Sequence, residues 1–334
     1  MVAGGAAARA RLQDPAGRDG GGVRVRDRAA VLLRAERAAA AVRLPQVARP
    51  RPRVLGAPSP RRRGVSAPRV SVLLPVRDGA RFLREALDSV LAQTLADFEL
   101  LVVDDGSTDE TPEILASVGD ERLRVLRQEP AGLVAALERG IGEARAPYLA
   151  RMDADDVSLP CRLERQVAFL DEQSQVALVV PGVESIDEAG RPGRRVTVPD
   201  DDAALRRRLL LRNPFTHGAV VVRAAAVRQA GGYRADYGAN EDYDLWRRIA
   251  RDWKLGAVPE VLYRYREHSG AVTRSRVDER VESRERLRDE LWRDPALLGA
   301  VGRDADPVEA RALLREAVRR RRLGLALRVL VRSQ

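Results

Sequence analysis

The residues best suited to chemistry fall in three acidic clusters. Met152-Asp153-Ala154-Asp155-Asp156 puts three carboxylates into four residues. Such a group repels itself unless a cation compensates. A hard divalent ion, Mg2+ or Mn2+, takes oxygen ligands from one or two carboxylates and leaves positions for phosphate oxygens. Handling a nucleoside diphosphate would need that arrangement. The plainer alternative is an acidic solvated loop or a cluster at the start of the next helix, and the motif alone leaves both open.

Asp104-Asp105 is the second cluster, followed by Gly106-Ser107. A carboxylate there could accept a hydrogen bond from a pyrimidine ring N–H or a ribose hydroxyl, or it could simply shape an Asp-Gly-Ser turn. The third is Glu241-Asp242-Tyr243-Asp244-Leu245-Trp246. Acids in a first helical turn are favoured by the macrodipole; the functional reading makes one of them a general base. The chain has two histidines, His217 and His268. A lone histidine is more often a surface or core residue than a ligand, but both stand at predicted strand ends.

Those positions depend on the elements that carry them. Val70–Pro75, Phe98–Val103, Leu123–Leu126, Tyr148–Met152 and Val176–Val180 read as buried strands. Helical spacing runs over 80–92, 132–144 and 161–172 between them, and Ser107 or Thr108 could cap a further helix with Pro112 in its first turn. Strands alternating with such helices predict parallel βαβ units, an α/β sheet covered on both faces. Ligands bind such sheets beyond the carboxyl ends of the strands, where the first two acidic clusters fall. After 183 the rhythm loosens. Strands are expected at 219–222 and 261–265, a helix at 241–252, and charged helices from about 276, interrupted by Pro295 and Pro307. The chain ends in a basic amphipathic segment after Arg319, read first as a helix packed on its own domain and second as a membrane-surface contact.

Composition narrows the classes. The 334 residues carry a net charge of +10, yet residues 1–70 hold 16 Arg against four acids, leaving the remainder slightly acidic. None of the 13 aromatics precedes Phe82. A segment so charged and so poor in apolar surface cannot offset its chain entropy, so residues 1–68 are expected to be a disordered extension. The acid-poor, Arg- and Ala-rich start resembles a transit peptide in composition, although a single lysine, Lys254, points to a general Arg-for-Lys bias and favours a non-targeting extension. No window approaches the ~18 apolar residues of a membrane span. One cysteine, Cys161, excludes a disulfide framework or a cysteine-rich zinc site.

Residues 69–270 resemble the family 2 glycosyltransferases, whose fold is of the GT-A type. The likeness rests on ordered motifs: the opening Val-Ser-Val-Leu-Leu-Pro-Val, Leu87 to Thr94, Val102 to Asp109, Met152 to Asp156 with Pro160 and Arg162-Leu163, and Gly231-Gly232-Tyr233 before Glu241 to Trp246. The resemblance implies a Rossmann-like, mostly parallel sheet with helices on both faces, followed by a helical extension over 271–334. It implies an inverting transferase that moves a sugar from a nucleoside-diphosphate sugar, UDP-type favoured, to a saccharide or lipid-linked acceptor in surface polysaccharide or glycolipid synthesis. Pro75, Val76, Asp104, Asp105 and Asp153 would then bind the nucleotide, with Pro75 and Asp105 on the base. Asp155 would bind Mg2+ or Mn2+, and His268 corresponds to a histidine that holds metal or pyrophosphate in some relatives. Asp242 would be the general base, with His217, Glu241 and Trp246 in the donor and acceptor region. The implied place is the cytoplasm, at the inner face of the plasma membrane.

The chain departs from the family pattern at Leu137-Glu138, where an Arg-Asn pair is frequent, so Arg139 or Arg127 is expected to take over that pair's part; Asp78 replaces a frequent Asn. Two other readings compete. A nucleotidyltransferase would carry a Gly-rich basic loop after its first strand, and Val76-Arg77-Asp78-Gly79 is a poor one. A nucleic-acid binder would act through the basic tail, which has no aromatic to stack on a base.

Overall fold

Continuous apolar runs become central strands. Val70–Val76 (β1) and Phe98–Asp104 (β2) are buried almost throughout, as strands covered on both faces must be. A computed structural model describes residues 67–270, 277–301, 305–322, 324–326 and 329; the expected disordered extension lies outside them except for its last two residues.

β1 pairs in parallel with β2 and with β4 (Tyr148–Arg151), and β2 with β3 (Leu123–Arg127). Helices α1 (Ala80–Leu91), α2 (Thr111–Ala116) and α3 (Leu133–Glu143) make the connections. Beyond β4 the sheet turns mixed. β8 (Val221–Arg223) runs antiparallel to β4 and to β6 (Val176–Ile186), while β6 pairs in parallel with β9 (Lys254–Arg266). The short β5 (Val157–Ser158) pairs with β9, and β7 (Pro192–Val196) with β6, both antiparallel. The order is β3-β2-β1-β4-β8-β6-β9-β5, with β7 beside β6.

Several expected elements changed length. β6 and β9 run on to 11 and 13 residues, past Pro181 and Pro259. Register shifts between Pro181 and Val183 supply the bulges that let a strand continue past a proline. The strand expected from Ala219 begins at Val221, because His217–Ala219 forms a single 3-10 turn. Ser107 and Thr108 do not cap α2. Ser107 Oγ accepts from Asp78 N at 3.0 Å, and Thr108 Oγ1 donates to Asp78 Oδ1 at 3.3 Å, so both side chains are spent tying the α1 entry to the β2 exit. Asp109 does the end-capping instead, accepting from Ala80 N and Thr111 N at 3.0 Å.

Helices α4 (Arg162–Glu172), α5 (Asp202–Leu211), α6 (Ala224–Ala230) and α7 (Glu241–Asp252) follow in chain order. α5 and α6 fall where the sequence showed no clear period. Asp201 starts α5 by accepting from Ala204 N at 2.8 Å, and Gly231 ends α6 in the left-handed conformation. One apolar layer joins Val70, Val72 and Leu74 of β1 to α1 and α4. The other joins Leu73, Leu101 and Leu178 to α5, α7 and the last helices, α8 (Val277–Leu291), α9 (Pro295–Leu298) and α10 (Pro307–Arg319). Pro295 and Pro307 open helices behind the capping residues Asp294 and Asp306, which is why the helical pattern breaks there. Ala326 and Val329 of the basic terminal segment lie in this same core, as expected of a segment packed on its own domain.

Candidate active site

Met152 to Asp156 leaves the sheet at the carboxyl end of β4, and its carboxylates have separate tasks. Asp156 is buried, 1 % exposed. It accepts from the Tyr263 hydroxyl and from Arg266 N, both at 2.7 Å, so it locks the loop onto β9. Burial, with Asp153 and Asp155 beside it, pushes its pKa well above the usual carboxylate range. Asp153 takes the Arg151 guanidinium at 2.6 Å. Burial raises its pKa, Arg151 pulls against that, and Asp155 adds to the rise. Asp155 Oδ2 lies 2.8 Å from His268 Nε2, which brings His268 to the loop. The His268 ring also packs on Phe82 of α1, 5.1 Å between centroids.

Beneath the loop sits a fully buried cation. Arg162 donates to the Arg151 carbonyl at 2.6 Å and to Gln166 at 3.0 Å, and stacks on the Tyr263 ring at 4.8 Å. Burial lowers its pKa to about 10, which leaves it charged at neutral pH. A buried charge without compensation would be costly; Asp156 and Asp153 of the loop favour it, and Arg151 acts against it.

Pro75, Val76, Asp104 and Asp105 converge at the neighbouring strand ends. β1 and β2 place Val76 opposite Asp104, and Val76 O accepts from Asp105 N at 2.9 Å. Asp104 is buried and accepts from Ser107 N at 2.9 Å, with Arg127 Nε 3.5 Å away. Asp105 holds the loop after β3: it accepts from Gln128 Nε2 at 2.7 Å, and from Ala131 N and Gly132 N at 2.8 Å each. Arg139, one of the two residues expected to replace the frequent Arg-Asn pair, donates instead to the Arg127 carbonyl at 2.7 Å.

The third cluster lies at the start of α7. Asp242 accepts from Asn213 Nδ2 and Tyr243 N, both at 2.7 Å. Glu241 is 5 % exposed, and burial with the adjacent Asp242 raises its pKa to about 8. His217 Nδ1 lies 3.9 Å from Glu241 Oε1, and His217 Nε2 is 2.8 Å from the Tyr233 hydroxyl. Burial and the nearby Arg151 hold His217 well below the usual histidine pKa, so it is neutral. Trp246 closes the group edge-on, 5.9 Å from the His217 ring.

One turn joins the clusters. Gly218 follows His217, and a methyl group on it would overlap the Tyr263 hydroxyl and Asp153 Oδ2. The His217–Ala219 turn therefore has the β4 loop on one side and Glu241 on the other. Arg151 and Asn213 are the contributors the sequence reading did not single out. Arg151 had a signal, a charge in a short strand run otherwise apolar; Asn213 had none.

An α/β sheet with acidic loops gathered at the carboxyl ends of its strands places its ligand-binding crevice there. The family model for glycosyl transferase family 2 matches residues 71–231. EpsE of Bacillus subtilis, a glycosyltransferase by name, is 35% identical over 218 residues, covering 63% of this chain and 77% of its own. The O-antigen biosynthesis glycosyltransferase WbnJ of Escherichia coli is 29% identical, covering 62% and 82%. The Staphylococcus aureus TarS 1-349 structure in complex with UDP-GlcNAc superposes with a TM-score of 0.55 at 15% identity, covering 77% of this chain and 89% of that one, a likeness of fold. The chain belongs to glycosyl transferase family 2, and the protein is a glycosyltransferase.

Proposed function

We propose that the protein transfers a sugar from a nucleoside-diphosphate sugar, UDP-type, to a hydroxyl of a saccharide or lipid-linked acceptor, with inversion, in surface polysaccharide or glycolipid synthesis. The observation that carries this reading is the His217–Ala219 turn, which sets the Asp153 side of the β4 loop and the Glu241-Asp242 pair on one site. Pro75, Val76, Asp104 and Asp105 would flank the base, with a remaining acceptor direction on Asp105 Oδ2 for a ring N–H. TarS binding UDP-GlcNAc on a similar fold supports that class of donor.

The donor set fits Mg2+ or Mn2+. Asp155 and His268 already converge at 2.8 Å, with Asp153 beside them. Among the described residues no three such side chains form a closed cage, and Mg2+ commonly takes one or two carboxylates and fills the rest with phosphate and water oxygens. A divalent ion held there would supply Lewis-acid neutralisation of the departing diphosphate. The chain's own residues do the remainder. Asp242 accepts the proton of the acceptor hydroxyl as its oxygen bonds to the anomeric carbon and the bond to the diphosphate breaks. One displacement inverts that carbon. Asn213 keeps the Asp242 carboxylate oriented, and neutral His217 and Trp246 wall the site. The reaction would take place in the cytoplasm at the inner face of the plasma membrane.

The test is a screen of nucleotide sugars with Mn2+ for release of nucleoside diphosphate, with the product anomer read by NMR. Release from a UDP-sugar and an inverted product are expected. A retained configuration, or turnover unaffected by chelator, would overturn the corresponding part of the proposal.

A further inference from the structure

Glu138 stands on α3, in the half of the fold that carries the nucleotide-side loops, yet its carboxylate reaches the acceptor side. Oε1 accepts from Tyr233 N at 2.6 Å. The approach is so close that a methyl group on Gly232 would lie 2.6 Å from both Glu138 oxygens. Gly231 and Gly232 are both left-handed, with φ of 80° and 68°, so the turn needs glycine for its backbone as well as for the carboxylate above it. From the other side Arg248 of α7 donates to the Gly232 carbonyl at 2.6 Å and also to the Ala230 carbonyl. Asp244, fully buried, orients Arg248 at 2.8 Å. The Gly-Gly-Tyr turn is clamped by a charged group from each flank.

What the clamp delivers is Tyr233. Its hydroxyl meets His217 Nε2 at 2.8 Å, and its ring packs on His217 and Trp246, with centroids 5.5 and 6.5 Å apart. Burial raises the phenol's pKa, so it keeps its proton. A phenol that donates to Nε2 leaves the neutral imidazole's own proton on Nδ1, the nitrogen 3.9 Å from Glu241 Oε1. The second nitrogen of a histidine sets the tautomer of the first in this way.

We propose that Glu138 is a positioning residue for the glycosyl transfer: through the Gly231-Gly232-Tyr233 turn it fixes the ring orientation and tautomer of His217 beside Glu241-Asp242. This deepens the proposed function by adding a residue from outside the acidic motifs, and it rests on the site of that reading. A carboxylate can do this with one oxygen, and so can an amide, because the bond it accepts comes from a backbone N–H. Side chains without an acceptor at that reach cannot.

The experiment compares E138Q, E138A and Y233F with the parent enzyme in steady-state transfer, alongside thermal unfolding and calorimetric donor binding. E138Q should keep kcat within about twofold. E138A should lose about fivefold in kcat, with donor affinity unchanged, as loss of one ordinary hydrogen bond worth about 1 kcal/mol predicts. The E138A/Y233F double variant should lose no more than the worse single one, because both act through the same hydroxyl contact. Fully additive losses, an E138A enzyme with parental kcat, or an E138Q enzyme as poor as E138A would each overturn the proposal. If E138A does not fold, Y233F with E138Q/Y233F decides: parental kcat in Y233F removes the contact's role. Failure of every variant and the parent to use any nucleotide sugar would count against the proposed function, whereas an active parent with these variants unaffected counts against Glu138 alone.

Discussion

His268 Nε2 and Asp155 Oδ2 lie 2.8 Å apart across 113 residues of chain. The β4 loop supplies the carboxylate and the end of β9 supplies the imidazole. They meet because Asp156 of the same loop takes the Arg266 N–H, two residues before His268. The contact joins two groups that each suit a divalent ion, and it makes the ion's dependence on each testable.

For Asp155→Ala we expect loss of Mn2+-dependent nucleotide binding, and for His268→Ala a weaker effect of about 10- to 100-fold on metal affinity, the range for perturbing a ligand's setting. Calorimetry of nucleoside diphosphate with and without Mn2+ measures both. Unchanged affinity in Asp155→Ala would remove it from the metal site.

Asp242→Asn keeps the side chain's shape and its acceptor oxygen for Asn213 Nδ2 but removes the proposed base. Turnover should fall by roughly 10²- to 10⁴-fold, the usual contribution of general-base catalysis, with donor binding nearly intact. A variant that kept most of its rate would transfer the role elsewhere, and Glu241 would be the next candidate by position.

Gly218→Ala places a methyl group into the Tyr263 hydroxyl and Asp153. Tyr263 cannot retreat freely, since it is buried and bonded to Asp156. We expect a stability loss of about 1–3 kcal/mol, typical of overpacking, together with a fall in turnover. Denaturant unfolding and a transfer assay check the two, and a fully active Gly218→Ala enzyme would show that the turn does not couple the clusters.

Glu241 titrates near pH 8 in the folded protein against about 4.5 when unfolded. The folded state therefore holds a proton that the unfolded chain has released across that window. Stability contributed in this way is full below about pH 4.5, declines as pH rises toward 8, and is flat beyond it. Asp242, Arg151 and Asp153 are the charged groups that act on it, and neutral His217 lies beside it. Chemical unfolding from pH 5 to 9 should show a downward slope that Glu241→Gln reduces; an identical slope in the variant would place the titration on another group.

Much of the site was legible in the sequence, for a physical reason. Strands of the parallel half are buried on both faces, so Val70–Val76, Phe98–Asp104 and Tyr148–Arg151 read as apolar runs, and the acids that end them stand out. The period of α1 and α4 is equally plain. The region from 183 to 240 was opaque because its elements are held by tertiary contacts. α5 and α6 carry no clean apolar stripe, β7 is exposed along its length, and the His217 turn exists because Gly218 fits against Asp153.

The sequence by itself determined the class: ordered acidic motifs at strand ends and a family signature. Only the tertiary structure decided what each acid does. Asp153, Asp155 and Asp156 are neighbours of one type, yet one binds Arg151, one meets His268 and one is buried under Tyr263. Their partners come from one distant stretch, the end of β9, or from the adjoining strand, so local pattern cannot distinguish them. Glu138 makes the same point from the other direction. The sequence marked it only as a departure from the family pattern, and the fold set it 2.6 Å from Tyr233 N, because packing, which acts between residues far apart in the chain, leaves no period to read.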